Sequence, residues 1–545
     1  NPTGQVSNST VTISTGAITM NSMTVKGAAL QVNISATPAS QNVVGGITNF
    51  ELARFQLDAT QSGEDIRISS FPVYITASGS ASDLTGCTLY NGATPLNTGT
   101  NVVNSWSSTV KKNYTFDNSL VVAKGTLVTL SLQCNVASSP TAGSFQVTAA
   151  SAGDFSVTGL TSSNTVTPTI GSGNGGTMTI GTGSFTVSVD SSSPATTTVA
   201  GGATGVTMGV LKFRATNESV TLTKLGLKLN LGTASHISGA TIWNGSTQVG
   251  SVTFPQGSLA VATSTLTTGV SLPVNTDVRL TIKADLNAIG VGQSGNPGQP
   301  VVINAVSAEG SGQSSGTTLI VGNITPGTAG VRTFHSFPTV ALDSLASTGV
   351  ADGRLMRFKV TSNSAGEVSL YQLTFSMSTS TFATGGGVTS VKVNVYSDSS
   401  YSQLVQTNVG SSTGQFGGTN GSNQGGTLLT NAPSGLEFQA GPNALPIPAG
   451  STRYFEVVGT VSGVTTGTSV TTTLLGDAAY TAAAHFNAST DFVSSTTGAY
   501  ADSNNNFIWS GNSTTTPNIT SDTDWANGFS IVGLPSGGLS NTRSQ

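Results

Sequence analysis

Apolar and polar residues alternate with period two along three separate stretches of this chain. The stretches are LARFQLDATQSGEDIRISSFPVYI from Leu52, MGVLKFRATNESVTLTKLGLKL from Met208 and RLMRFKVTSNSAGEVSLYQLTFSM from Arg354. Phe55, Leu211 and Phe358 align, as do Leu57, Phe213 and Val360. Beyond a short polar loop the apolar positions Ile66, Ile68, Phe71, Val73 and Ile75 match Val220, Leu222, Leu225, Leu227 and Leu229. The third copy supplies Val368, Leu370, Leu373, Phe375 and Met377. Successive side chains of a strand point to opposite faces, so each stretch predicts a β-hairpin with one buried face.

The repetition extends on both sides. LTGCTLYNG from Leu84 matches ISGATIWNG from Ile237 and, more loosely, VTSVKVNVY from Val388. LSLQCNV from Leu130 matches LTIKADL from Leu280 and FEVVGTV from Phe455. GQVSNSTVTI from Gly4 resembles GLTSSNTVTP from Gly159. No window carries a helical apolar stripe. The expected fold is therefore all-β: three tandem immunoglobulin-like β-sandwich domains plus a small C-terminal segment. The expected units are 1–156, 157–309, 310–480 and the C-terminal segment 481–545.

The cysteines fit this alignment. Cys87 and Cys134 lie on two matched strands of the first repeat. Ala240 and Ala284 replace them in the second, and Val391 and Gly459 in the third. Both sulfurs disappear together, as they would from facing core positions. A Cys87–Cys134 disulfide across the sandwich is expected; two free buried thiols are the other reading. A disulfide implies an oxidising, extracellular setting.

Composition narrows the function classes. Charged residues make up 8% of the chain and the net charge is −4, against roughly 25% charged in ordinary domains. Ser, Thr, Asn and Gly take the place of the missing charge. A surface so weakly charged excludes electrostatic nucleic-acid binding and resists association poorly. No apolar run is long enough for a transmembrane segment. The chain starts at Asn1 rather than Met, so a removed leader or an upstream part is expected.

Candidate chemistry is sparse. His236, His335 and His485 are scattered, without partners at metal-ligand spacing. Gly312–Gly316 satisfies G-x-S-x-G and Gly171–Gly176 satisfies G-x-G-x-x-G, but both lie in Gly/Ser connectors and lack the strand–helix context those motifs need. Asp502, Asn504 and Asn506 resemble the first half of a calcium loop, and Asp522 and Asp524 supply further carboxylates. The closing Glu is missing: Ser513 stands at its place. No cofactor is required on this reading, and calcium is a candidate. Trp106, Tyr90 and Trp243 are candidates for a sugar-binding face or for core packing. An acid recurs at Glu64, Glu218 and Glu367 without a second group at fixed spacing. General acid–base catalysis needs such a group. The acid reads instead as an acceptor for backbone hydrogen bonds in the hairpin turn, and the chain as a non-enzyme.

The stretch FRATNESVTLTKLGLKL and the C-terminal NNNFIWSGNS and DWANGFSIVGLP resemble secreted surface proteins of candidate-phyla-radiation bacteria, which are read as surface-layer-like or cell-surface array proteins. The resemblance implies a structural role at the cell exterior, hands over no catalytic residues, and keeps calcium in view. Residues and resemblance together lead to an extracellular, cell-surface, self-assembling homo-oligomer that forms a layer or a filament. An adhesin or stalk that binds cell-envelope glycan is the alternative. Candidate assembly residues are Ser9, Val11, Ile13, Ile18 and Met20, on a connector with no preceding domain in this chain, and Trp509 and Trp525 in the C-terminal segment.

Overall fold

The computed structural model describes residues 3–12, 20–106, 111–324, 327–345, 349–406, 414–418, 434–440, 444–479, 504–513 and 524–545. Among them strands dominate and no α-helix occurs. They form three tandem two-layer sandwiches, each around its own apolar core.

In the first sandwich, Phe50–Asp58 and Ile66–Ala77 are the two arms of the first alternating stretch, and they belong to opposite sheets. One sheet runs in the order Thr169–Ile170, Gln31–Ile34, Phe50–Asp58, Leu127–Val136, Leu84–Asn91, Thr94–Pro95. The other runs Ser156–Gly159, Ile66–Ala77, Ser144–Thr148, Met178–Ile180, Gln41–Val43, with Lys112–Val122 also paired to Ile66–Ala77. The alternating apolar residues face each other between the layers: Phe55 and Phe71 meet edge to face with ring centroids 4.9 Å apart. The hairpin expected over Leu52–Ile75 is thus a sheet-to-sheet crossover, and its two arms do not pair with each other.

The second sandwich repeats this plan. Val206–Thr216 lies in a sheet with Ser184–Val189, Asp277–Leu286, Ile237–Asn244 and Thr247–Val252. Val220–Leu231 lies in the facing sheet between Gln299–Gly312 and Val261–Leu272. In the third, Arg354–Ser362 sits between Pro338–Asp343 and Thr452–Ser462, while Val368–Ser380 anchors the facing sheet.

The domain boundaries differ from the expected ones by a phase. Met178–Ile180 closes the first sandwich, antiparallel to Ser144–Thr148 and parallel to Gln41–Val43. Val331–Phe334 closes the second in the same way, against Gln299–Gly312 and Thr197–Ala200. Residues 157–180 therefore complete the first unit, and residues 310–334 the second. A sandwich exposes an open sheet edge until its trailing strand arrives, which is why the trailing strand stays with it.

The same rule corrects the C-terminal segment, which is not separate. Phe507–Ser510 pairs with Val368–Ser380, Trp525–Ala526 pairs with Phe507–Ser510, and Leu539–Ser544 closes the edge at Ser469–Leu474. Backbone N–H of Val340 donates to the Val532 carbonyl at 2.9 Å, so residues near 532 run beside Pro338–Asp343.

Cys87 and Cys134 are bonded, and both are fully buried. The bridge does not cross between the layers. Leu84–Asn91 and Leu127–Val136 are neighbours in one sheet, and the two Cα atoms are 4.1 Å apart. A bulge between Thr85 and Thr88 takes Cys87 out of that ladder, and its backbone pairs with Val103 instead. The replacements in the second sandwich explain the covariation: Ala240 and Ala284 are direct cross-strand partners. Two residues opposite each other on an antiparallel pair point the same way, here into the core.

Candidate functional site

The recurring acid is the first candidate. In the first sandwich Glu64 accepts hydrogen bonds from the backbone N–H groups of Thr161 at 2.6 Å and Ser162 at 2.7 Å. Hydrogen bonds from Ser162 and Thr161 hold its carboxyl below the usual range. The donors belong to the turn Thr158–Thr165, which trails the sandwich, and not to the turn that contains Glu64. Glu218 is buried at the equivalent place in the second sandwich. Glu367 Oε1 accepts from Asn512 Nδ2 at 3.1 Å. In the first and third sandwiches the acid therefore clamps the segment that trails the sandwich. A carboxylate suits this task because its two oxygens take several N–H donors at once.

The C-terminal strands bring together a second set of polar groups. Asp477, which the sequence pattern does not single out, is 2% exposed. It accepts from the backbone N–H groups of Asn506, Phe507 and Gly528 and from Asn506 Nδ2. Asn504 Oδ1 accepts from the N–H of Ala478, and Asn506 Nδ2 also reaches the Gly476 carbonyl. Asp524 is 2% exposed and accepts from the Ser510 hydroxyl and the Ser513 N–H. Its other oxygen, Oδ1, is buried. Of the calcium candidates, Asp502 and Asp522 lie outside the described residues. Asn504 and Asn506 tie strand ends around Asp477, while Asp524 serves the turn after Ser510. The described members thus divide between two backbone networks, and among the described residues no group of three or more His, Cys, Asp or Glu could hold a metal ion.

Burial pushes the Asp524 carboxyl up to about 6. The folded chain therefore favours the protonated form more than the unfolded chain does. The resulting stability is full below the unfolded value near 4 and is lost as pH rises through about 6. The third sandwich should lose about 2–3 kcal/mol of stability between pH 4 and pH 7 from this group. Asp524→Asn should flatten that dependence. Amide exchange across Phe507–Ser510 at both pH values, corrected for the intrinsic rate, checks it. An unchanged pH dependence in Asp524→Asn would assign the effect elsewhere.

No family model matches this chain, and no curated protein matches it. Among solved structures, the C-terminal domain of the Streptococcus agalactiae AgI/II polypeptide BspA is 11% identical. That match covers 54% of this chain and 95% of the other, with a TM-score of 0.14. A chain from Corynebacterium diphtheriae described as membrane anchored is 10% identical over 82% of this chain and 86% of its own, with a TM-score of 0.17. Neither value supports a shared overall structure.

The expected assembly residues divide. Ser9, Val11 and Met20 are exposed, Met20 at 82%. Ile13 and Ile18 lie outside the described residues. Trp509 and Trp525 are each 1% exposed and belong to the third core. Trp509 packs tilted against Phe334 with ring centroids 4.6 Å apart and donates its Nε1–H to the Asn527 carbonyl; Trp525 meets Tyr371 edge-on at 6.0 Å. Neither is available to a neighbouring molecule. The sequence marks them as aromatics outside the repeat, and it is the inclusion of their segment in the sandwich that buries them.

The remaining candidates are structural in place. Trp106 is buried against Tyr114, and Lys283 Nζ covers the Trp243 ring at 4.4 Å. Tyr90 is half-buried on the Leu84–Asn91 strand. His236 is buried beside the Thr233 turn, and His335 Nδ1 lies 3.2 Å from the Gly511 carbonyl. His485 lies outside the described residues. Gly316, in the G-x-S-x-G match, has φ +67 in a turn between two paired strands. No helix among the described residues is long and apolar enough to cross a membrane.

Proposed function

We propose that this chain is an extracellular structural protein, a self-assembling subunit of a cell-surface layer or filament, joined through sandwich edges. The observation that carries this reading is an uncharged sheet edge. Val261–Leu272 is the last strand of its sheet and has no charged residue and no proline; along Ser264–Thr267 it meets Thr247–Val252 of the facing sheet through two hydroxyl hydrogen bonds, and the rest of its edge is uncovered by that strand. Val261 stands 51% exposed on it. Sheet edges in proteins that stay monomeric are blunted by Lys, Pro or a covering segment, and an unblunted edge pairs with another chain. The sparse charge of the whole chain leaves little repulsion to oppose that pairing. The resemblance of its segments to bacterial surface-array proteins points the same way.

Electron microscopy of purified protein, with calcium and with chelator, tests the reading. Sheets or fibres are expected, and Thr263→Lys with Thr265→Lys on the edge strand should disperse them. Isolated rods under both conditions would overturn the reading and favour a glycan-binding stalk.

A further inference from the structure

The segment ahead of the first sandwich is built like the segments that trail the first and second. The turn Thr3–Thr10 reproduces the backbone pattern of Thr158–Thr165 bond for bond. Thr3 pairs with Thr10 as Thr158 pairs with Thr165. Gly4 N donates to the Ser9 carbonyl and Asn8 N to the Gly4 carbonyl. Gly159 N and Ser163 N make the same two bonds to Asn164 and Gly159. The left-handed residue falls at the same place, Asn8 with φ 47 and Ser163 with φ 57, and Gly316 holds it in the corresponding turn after the second sandwich.

The spacing from each turn to the next strands is also constant within the chain. Met23, Met178 and Val331 each stand twenty residues beyond the first residue of the turn, Thr3, Thr158 or Ser311. Each also stands nine residues ahead of the matched strand residue Val32, Val187 or Val340. Met178 and Val331 are the buried plugs of the two closing strands, at 1% and 3% exposure. Met23 is 92% exposed and Val25 95%. Val6, the counterpart of the Glu64-bound Thr161, is fully exposed.

We infer that Thr3–Thr10 and Met20–Val25 are the closing element of a further sandwich of this same build, one whose own closing edge is open. Such a partner supplies an apolar slot for Met23, a strand for Ser22–Val25 to pair with, and an acid at the Glu64 position for the turn. The third sandwich of a second copy is not that partner, because Leu539–Ser544 already closes it. Its plug position also holds Arg543, which is bonded to Gly349, Arg354 and Asp352 and leaves no apolar slot. The inference does not rest on the proposed surface assembly, and a chain that never forms layers leaves it standing.

A second copy of residues 28–157, which lacks a closing strand, can be placed directly ahead of Thr3 in the full chain. In the unmodified chain the amides of Met23–Val25 should exchange freely. In the fusion their exchange should slow by about a hundredfold as they enter a ladder, and Met23→Asp should restore fast exchange there. The companion fusion carries residues 28–183, with the native closing strand, ahead of Thr3. Rapid exchange at Met23–Val25 in a folded 28–157 fusion would overturn the inference. So would an added sandwich that folds as 28–183 and fails to fold as 28–157.

Discussion

Replacing both cysteines with alanine should lower the stability of the first sandwich by about 4 kcal/mol and leave the other two unchanged. The bond joins residues 47 apart in sequence. A loop of that size is costly to close, so its removal frees the unfolded chain more than it disturbs the fold. The second sandwich shows that the site tolerates the change sterically, since it already carries Ala240 opposite Ala284. The loss should therefore appear as an earlier urea midpoint for amides of Phe50–Asp58 and Leu127–Val136. Intact-mass measurement with and without reductant gives the companion result, a gain of about 2 Da on reduction as two S–H bonds replace one S–S bond. A double-alanine chain as stable as the parent would assign the bond no stabilising role.

Trp509→Ala should destabilise the third sandwich by about 3–5 kcal/mol. The ring is 1% exposed beside Phe334, and its removal leaves both a cavity and the Asn527 carbonyl without its donor. Since Trp509 sits on the strand paired to Val368–Ser380, exchange should quicken along that whole strand. An appended, independent C-terminal segment would lose its own structure and leave Val368–Ser380 untouched. Exchange along Val368–Ser380 therefore separates the two arrangements in one measurement. Phe334 belongs to the closing strand of the second sandwich, so a smaller loss is expected there too.

Much of the build was legible from alternation alone. The alternating apolar positions Ile66, Ile68, Phe71, Val73 and Ile75 mark inward positions, all 0–1% exposed, and the paired loss of Cys87 and Cys134 marks facing neighbours. Two things were not legible, for physical reasons. A tandem repeat reveals its period but not its phase: GLTSSNTVTP matches GQVSNSTVTI equally well whether the pair opens a unit or ends one. The pairings of Met178–Ile180 and Val331–Phe334 decide that it ends one. The C-terminal copy was hidden because fourteen residues separate Ser510 from its partner Trp525, against six between Thr158 and Thr165, and because Arg543 stands where Met178 and Val331 stand. Sequence periodicity tracks apolar residues, and an Arg satisfied by carbonyls and Asp352 breaks the signal without breaking the strand.

Of the candidate site, the acid at Glu64 was legible as a backbone acceptor, but its partners were not. Thr161 and Ser162 are almost a hundred residues away, and a hydrogen bond to an N–H group leaves no mark on the identity of the donor. Asp477 was invisible for the same reason.

The trailing position of each closing strand also bears on the order of synthesis. A sandwich of this chain cannot be completed when its own core strands have left the ribosome. It waits for about twenty further residues, those that run from the turn at Thr158 or Ser311 to Met178 or Val331. The first and second units mature only as the next begins to emerge, so their folding advances from the amino end about twenty residues behind production.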